Sequence, residues 1–312
     1  MNTVLITDCD HPSTEIEEAV FARAGITVRR AACRTAQDVI EAGADAVGLL
    51  SQYAPITEEV MAALPTVRVI GRYGVGLDNI DVAAAERRGL HIVSVPDYCT
   101  DEVADHAFGL ILSHTRGYPA LDRAVRRGVW DFRAAGEIRR ASEMRLGIIG
   151  LGRIGSAVAR RALASKFQVV AYDPNPHEMA GVSFVAFDRL LASSDIVTLH
   201  APLNASTHHL LNASAFAKMK RGAFLVNTAR GGLIDQKALT SELVSGRLGG
   251  AALDVLELEP IDGRDELLGF ADVTLTPHAA FYSREAIIEM KQRVATGIAA
   301  ALGGCDTEEL AT

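Results

Sequence analysis

Five side chains that could move a proton or hold an anion lie in the second half of the chain, each just after a short apolar run. They are Asp173, His200, Arg230, Asp254 and His278, and Glu259 follows in the loop after Asp254. If the apolar runs are parallel strands, their carboxyl ends face one crevice, and residues distant in sequence can meet there. For each residue alone a surface ion pair or a satisfied buried group is the more common role, but together they indicate a reactive site.

These residue types suit the reduction of a carbonyl by hydride. The oxyanion that forms needs a proton from an acid that works near neutral pH, and histidine is the usual choice. A carboxylate beside a histidine fixes its tautomer and favours the charged ring, while a guanidinium can clamp a carboxylate or carbonyl through two hydrogen bonds. All three types are present in the set.

Residues 145–173 have the pattern of a dinucleotide-binding unit. Residues 146–149 form an apolar run typical of a buried parallel strand, and Gly150, Gly152 and Gly155 follow as G-x-G-x-x-G where the strand must turn into a helix. The glycines permit the tight turn, the approach of a pyrophosphate and close helix packing, and the helix N-terminus attracts phosphate. The motif alone also fits an ordinary glycine-rich turn, but here the strand, the helix and a second strand ending in an acid are all present.

Asp173 is that acid. A carboxylate at this position accepts hydrogen bonds from the ribose hydroxyls of adenosine and repels a 2′-phosphate. The sequence therefore predicts NAD as the cofactor and favours it over NADP.

Short apolar runs alternate with helix-like stretches along the whole chain. Repeated βα units predict an α/β fold with two doubly wound parallel-sheet domains, the central one a Rossmann NAD-binding domain. The first unit lacks the G-x-G-x-x-G motif, so we do not expect it to bind the nucleotide. Within it, Thr14 and Glu17 have the spacing of a capping box that opens the first helix.

A second glycine-rich segment, residues 71–79, follows the fourth strand of the first unit. Glycines at this spacing can free consecutive backbone N–H groups to form a concave anion-binding nest. Taken alone, the segment fits an ordinary glycine turn equally well. The position of the segment at the carboxyl end of a strand favours the nest. Arg72, just before it, could bind a second anionic group.

Composition bounds the remaining functions. The 312 residues suffice for two domains, and 49% hydrophobic residues argue against disorder. A formal charge of −8 argues against a nucleic-acid or anionic-membrane binder. The four cysteines, Cys9, Cys33, Cys99 and Cys305, have no metal-site or disulfide spacing, so we predict no metal. Without a membrane-spanning run or a leader we expect a cytoplasmic protein.

Three further residues have a structural interpretation. His106 and His114 lie on a long apolar helix and are expected to be packed helical histidines. Trp130, the only tryptophan, is expected to be a packing anchor.

Several segments together resemble the NAD-dependent D-2-hydroxyacid dehydrogenases. They are residues 74–81 (GVGLDNID), the Gly150 loop, and residues 226–232 (VNTARGG), 252–255 (ALDV), 259–260 (EP) and 276–278 (TPH). Residues 222–227 and 278–283 look closest to the C-terminal-binding-protein branch, although that branch typically has tryptophan where this chain has Phe281. Phosphoglycerate dehydrogenases often have arginine near residues 50–52, and this chain does not.

The resemblance implies roles for particular residues. The catalytic residues would be Arg230 as substrate clamp and His278 as acid–base with Glu259 as its partner. Substrate would contact Arg72, Tyr73, Gly74, Val75, Gly76 and Phe281, with backbone N–H groups of residues 73–76 on its carboxylate. The cofactor would contact Gly150, Gly152, Arg153, Ile154, Asp173, His200, Pro202, Thr207, Thr228, Ala229 and Asp254.

The resemblance also implies an organisation. Residues 1–97 and 284–312 would form the substrate-binding domain and residues 98–283 the NAD-binding domain, and the family is usually a homodimer.

Two functions from different classes follow. The first is an enzyme that interconverts a 2-oxo acid and the (R)-2-hydroxy acid with NADH. The second is an NAD(H)-sensing binding protein with little turnover. The presence of Arg230, Glu259 and His278 favours the enzyme.

Overall fold

The computed structural model describes residues 2–303 and divides the chain into two units. Of the described residues, the first unit contains 2–99 and 283–303, and the second is Thr100–Tyr282. Cys305, which the sequence analysis counted among the unpaired thiols, lies outside the described residues.

The first unit begins with five strands, joined by four helices, that build one parallel sheet. Their bounds are β1 (Thr3–Ile6), α1 (Glu15–Arg23), β2 (Thr27–Arg30), α2 (Ala36–Gly43), β3 (Gly48–Ser51), α3 (Glu58–Ala63), β4 (Val69–Arg72), α4 (Val82–Arg87) and β5 (His91–Val93). The strand order is β2-β1-β3-β4-β5, with every pair parallel. Leu5, Leu49 and Ile70, from the three central strands, are buried in one apolar core.

The second unit carries the larger sheet. Its helices and strands are α5 (Thr100–Thr115), α6 (Tyr118–Arg126), β6 (Arg145–Ile149), α7 (Arg153–Ala164), β7 (Gln168–Tyr172), β8 (Val182–Phe184), α8 (Phe187–Ser193), β9 (Ile196–Leu199), α9 (Ala213–Lys218), β10 (Phe224–Asn227), α10 (Gln236–Val244), β11 (Gly250–Leu253) and β12 (Val273–Leu275). The order is β12-β11-β10-β9-β6-β7-β8, again all parallel.

Helices cover both faces of this sheet. Ile148 belongs to one buried apolar cluster and its neighbour Ile149 to the other, because successive side chains of a strand point to opposite faces. The two parallel sheets confirm the predicted α/β fold class. The chain then returns to the first unit with α11 (Arg284–Ala301), which packs so closely on β4 that a Cβ at Gly71 would lie 2.4 Å from Ile298.

Two local predictions are wrong. Trp130 is not a packing anchor within this chain, because 89% of it is exposed. Thr14 does not form a capping box with Glu17: its hydroxyl donates to Glu18, and the Glu17 carboxylate is buried, where it accepts from the Tyr73 hydroxyl at 2.6 Å and lies 3.4 Å from Lys291 Nζ. A true capping box opens α2 instead, between Thr35 and Asp38.

Three elements of the second unit, α6, β8 and α9, were not predicted from the sequence. Cys9, Cys33 and Cys99 are free thiols. In the part of the chain that the structure describes, no helix has both the length and the apolarity to span a membrane.

Candidate active site

The three residues predicted to be catalytic lie together at the carboxyl edge of the larger sheet. Arg230 follows β10, Glu259 lies in the loop after β11, and His278 follows β12. His278 Nδ1 is 2.8 Å from Glu259 Oε2, and both side chains are about one-third exposed (35% and 37%). The ring can therefore reach solvent or a ligand while one nitrogen stays hydrogen-bonded to the carboxylate.

Glu259 is held as an ionised acceptor. Its partial burial opposes ionisation, but the hydrogen bond from His278, a second one at 2.9 Å from the Leu256 N–H and the positive charge of Arg230 outweigh that effect. Together they hold the pKa of Glu259 below its ordinary value. The positive charge of Arg230 thus favours the ionised form of the same carboxylate that binds His278.

The loop that carries Arg230 is fixed by Asn227, a residue the sequence analysis quoted in a motif without assigning it a role. Asn227 is fully buried; its amide donates to the Arg230 carbonyl at 2.8 Å and accepts from the Ala229 N–H at 3.0 Å. At Gly231 this loop meets the loop of Glu259, since a Cβ there would lie 1.9 Å from the Leu256 carbonyl. Only glycine permits so close an approach of the two backbones.

The dinucleotide loop has the geometry that its glycines predicted. Gly150 has a φ of +89°, and a Cβ there would lie 2.7 Å from the His200 carbonyl, while one at Gly155 would lie 2.0 Å from the Gly150 oxygen. A Cβ at Gly152 would meet nothing within 4 Å, so the loop leaves open space on that side. Arg153 and Ile154 begin α7 directly after it, with their N–H groups in the first turn.

Asp173 is tied to this loop. One carboxylate oxygen accepts from the Leu151 N–H and the other from the Asn175 N–H, each at 2.8 Å. Each oxygen retains a lone pair for a further donor such as a ribose hydroxyl. The structure therefore orients Asp173 beside the glycine loop, where the sequence analysis expected it.

The remaining residues predicted to bind the cofactor differ in their hydrogen bonding within the chain. His200 lies 3.0 Å from Thr198 Oγ1, and burial lowers its pKa to about 4, so the ring is neutral at pH 7. Thr207 donates to the Pro202 carbonyl at 2.7 Å. Thr228 Oγ1 is buried and has no hydrogen-bond partner within the described chain. An orphaned buried hydroxyl at the carboxyl end of β10, in the same sheet as the strand before the glycine loop, fits a dinucleotide, which would supply the missing polar partner.

Asp254 differs from the expectation. The whole residue is 2% exposed, and both of its carboxylate oxygens already accept hydrogen bonds from the protein. A direct contact with the cofactor stays a prediction, and the hydrogen bonds that its carboxylate accepts all come from the segment that carries His278.

The nest of the first unit is one residue shorter than predicted. The Tyr73 N–H already donates to the Ser51 carbonyl at 3.0 Å, so it is not available to a substrate carboxylate. The Tyr73 side chain is buried, and burial beside Glu17 raises the pKa of its hydroxyl. Gly74 has a φ of +131°, and a Cβ there would lie 1.8 Å from Arg72 Nη1, so the guanidinium lies against this turn. Gly74, Val75 and Gly76 remain as candidate N–H donors.

Phe281 packs near the acid–base pair. Its ring is edge-on to the His278 ring, with centroids 6.3 Å apart. The sequence analysis named Phe281 from the resemblance, and the structure places it within the second unit beside the predicted acid–base residue.

One cluster has the composition of a metal site. Donor atoms of His208, His209 and Glu257 lie within 4.8 Å of one another. The two rings are stacked, with centroids 3.9 Å apart, so their in-plane lone pairs do not converge on one point. Glu257 uses one oxygen on His209 and the other on the Gln236 N–H, which accounts for its position without an ion.

The chain matches known proteins over most of its length. The family model for the NAD-binding domain of D-isomer specific 2-hydroxyacid dehydrogenases matches residues 108–280. A glyoxylate reductase of Korarchaeum cryptofilum is 41% identical over 253 residues, which are 79% of this chain and 76% of that protein. A D-3-phosphoglycerate dehydrogenase of Archaeoglobus fulgidus is 41% identical over 247 residues, 78% of this chain but 47% of that protein.

A solved structure covers both units. The D-lactate dehydrogenase of Aquifex aeolicus, complexed with NAD and lactic acid, has a TM-score of 0.89 and 27% identity over 98% of this chain and 97% of that one.

The close approach at Gly231 gives a test of the site geometry. In Gly231→Ala the new methyl group would displace the Arg230 loop from the Glu259 loop, and we expect kcat/KM for oxo-acid reduction to fall about 100-fold, as for a misplaced reacting group. Gly263→Ala is the matched control, because a Cβ there meets nothing within 4 Å. Equal activities of the two variants would show that the contact at Gly231 does not position the clamp.

Proposed function

This chain belongs to the D-isomer specific 2-hydroxyacid dehydrogenase family, an NAD-dependent family of oxidoreductases, and we propose that it reduces a small 2-oxo acid to the (R)-2-hydroxy acid, or runs the reverse reaction. The observation that carries the proposal is the 2.8 Å contact between His278 and Glu259, with the charge of Arg230 acting on the same carboxylate. A binding protein with little turnover has no need of this trio.

In the proposed mechanism bound NADH supplies the hydride. His278 donates the proton to the developing alkoxide from Nε2, because Nδ1 faces Glu259. Glu259 stabilises the imidazolium and holds the ring in one orientation. Arg230 binds the substrate carboxylate or carbonyl through its planar guanidinium.

We further propose NAD(H) rather than NADP(H). Both oxygens of Asp173 accept hydrogen bonds from backbone N–H groups, one of them in the glycine loop, so the carboxylate is fixed next to the dinucleotide site. A 2′-phosphate there would meet an uncompensated negative charge.

The proposed partners are a small 2-oxo or 2-hydroxy acid and a second copy of this chain. A homodimer is supported by the apolar surface around α6, where Trp130 and Phe132 are 89% and 84% exposed and Val125 and Val129 are also exposed. Soluble monomers rarely expose large apolar patches, and here four large apolar side chains within residues 125–132 are exposed. The cytoplasmic location and the absence of a nucleic-acid partner stay predictions.

Asp173→Ala tests the cofactor assignment. We expect the variant to bind NADH about tenfold or more weakly, since a hydrogen bond to a charged group contributes about 1.5–3 kcal/mol. NADPH binding should change less or improve, because the repulsion is gone. Titration of each dinucleotide measures the two affinities, and an unchanged preference for NADH would refute the role of Asp173.

The acid–base pair is tested by pH profiles on a panel of 2-oxo acids. In Glu259→Gln the imidazolium loses its negative neighbour, so the alkaline limb of oxo-acid reduction should move to lower pH. Hydroxy-acid oxidation needs the neutral ring, so its acidic limb should move in the same direction. Because the pKa of Glu259 is lowered, its carboxylate stays ionised in the wild type to a pH below the pKa of an ordinary glutamate.

His278→Ala is the companion variant. It should lower kcat by about 100-fold or more, since the general acid is gone, and leave NADH affinity nearly unchanged. A fully active His278→Ala would overturn the dehydrogenase mechanism. If neither limb of the pH profiles moved in Glu259→Gln, Glu259 would have a structural role only.

The dimer is tested by mass. The double variant Trp130→Lys/Phe132→Lys should elute as a folded monomer in light scattering coupled to size exclusion, where the wild type has twice the chain mass. Val244→Lys, at an exposed apolar residue of α10, is the control and should stay dimeric. A wild type that is monomeric at micromolar concentration would refute the proposal.

A further inference from the structure

His106 does not have the environment of a packed helical histidine. It lies on α5 with its side chain 24% exposed, and its Nε2 is 3.0 Å from Thr276 Oγ1 and 3.7 Å from Asp254 Oδ1. Thr276 Oγ1 is in turn 2.6 Å from Asp254 Oδ1. The three side chains form one chain of hydrogen bonds from a helix to the edge of the sheet.

The direction of these hydrogen bonds follows from the donors available. Asp254 Oδ1 also accepts from the Ala279 N–H and Oδ2 from the Ala280 N–H, each at 2.9 Å, so the carboxylate acts as an acceptor on both oxygens. A hydroxyl has one proton, and Thr276 donates it to Asp254. The Thr276 oxygen must therefore accept from His106, which places a proton on His106 Nε2.

The segment held by Asp254 is the one that carries the acid–base residue. The Asp254 carbonyl accepts from the His278 N–H at 2.8 Å, so three successive N–H groups, from His278 to Ala280, donate to this one residue. His278 has a φ of +52°, a left-handed conformation that a residue with a side chain adopts only when its surroundings impose it. Asp254 supplies that constraint.

We propose that His106 is a positioning residue for His278. By donating to Thr276, it fixes the hydroxyl that orients the Asp254 carboxylate, and Asp254 holds the turn that aims the His278 ring at Glu259 and substrate. The inference rests on the proposed acid–base role of His278. Removal of the His106 hydrogen bond should leave both ligands bound and misplace the proton donor.

His114 on the same helix shows what a merely packed histidine looks like. Its ring stacks on Phe224 with centroids 3.5 Å apart, and burial lowers its pKa. It makes no contact with the Asp254 chain of hydrogen bonds within the described residues, so it serves as the matched control.

The test compares substitutions that keep or remove the donor. His106→Leu keeps bulk without a donor, and His106→Gln offers an amide N–H in place of Nε2–H. We expect His106→Leu to lower kcat about tenfold with KM and NADH affinity nearly unchanged, as for a displaced catalytic group, and His106→Gln to restore most of the rate. Thr276→Val should match His106→Leu, and the double variant should be no worse than either, since both remove one chain of hydrogen bonds. His114→Leu should retain the wild-type kcat.

An independent readout does not depend on turnover. Two-bond ¹H–¹⁵N spectra of the full-length enzyme should show His106 protonated on Nε2, with its signals identified by their loss in His106→Gln. Protonation on Nδ1 alone would overturn the proposal, as would a wild-type kcat in His106→Leu or an equal loss in His106→Leu and His106→Gln. His278→Ala distinguishes failure of the positioning role of His106 from failure of the acid–base role of His278. If His278→Ala is inactive while His106→Leu has the wild-type kcat, only the positioning role is refuted.

Discussion

The parallel pairing of β10, β11 and β12 is the constraint on which the candidate site depends. Asn227 is in register with Leu253, and Leu253 with Leu275, so the three strands end at one level. The ladder continues past the strands, because the Asp254 N–H donates to the Asn227 carbonyl and the Thr276 N–H to the Leu253 carbonyl. The loops that carry Arg230, Glu259 and His278 therefore start from adjacent, fixed points.

Buried polar groups hold these loops, and the hydrogen bonds they make explain why they are tolerated. Asn227 and Asp254 are almost wholly buried, where an unsatisfied polar group would be costly. Asn227 satisfies the backbone of the Arg230 loop, and Asp254 satisfies three N–H groups of the His278 turn. The hydrogen bonds of each residue thus offset the cost of burying it and fix the geometry of one loop.

The first unit uses a buried polar cluster in a comparable way. The Tyr73 hydroxyl donates to Glu17, and Lys291 of α11 lies within 3.4 Å of the same carboxylate. This ties the residue that precedes the Gly74 turn to α1 and to the returning α11. The turn predicted to bind an anion therefore follows a residue whose side chain and backbone N–H both already make hydrogen bonds.

Much of this protein was determined by the sequence itself. Alternating βα units predicted both parallel sheets, and the G-x-G-x-x-G spacing predicted the tight approaches at Gly150 and Gly155, because such features depend on backbone conformation over a few residues. The motifs around Arg230, Glu259 and His278 named the residues that the structure brings together.

Only the tertiary structure decided which partners the other side chains have. His106 and Thr276 are 170 positions apart, and Tyr73 and Glu17 are 56 apart, so no local pattern distinguishes these contacts from ordinary helix packing or a capping box. The exposure of Trp130 and the use of the Tyr73 N–H by Ser51 likewise depend on what lies across space. Spacing along the chain determines the local backbone, whereas burial and the choice of hydrogen-bond partner are set by segments that meet only when the sheets form.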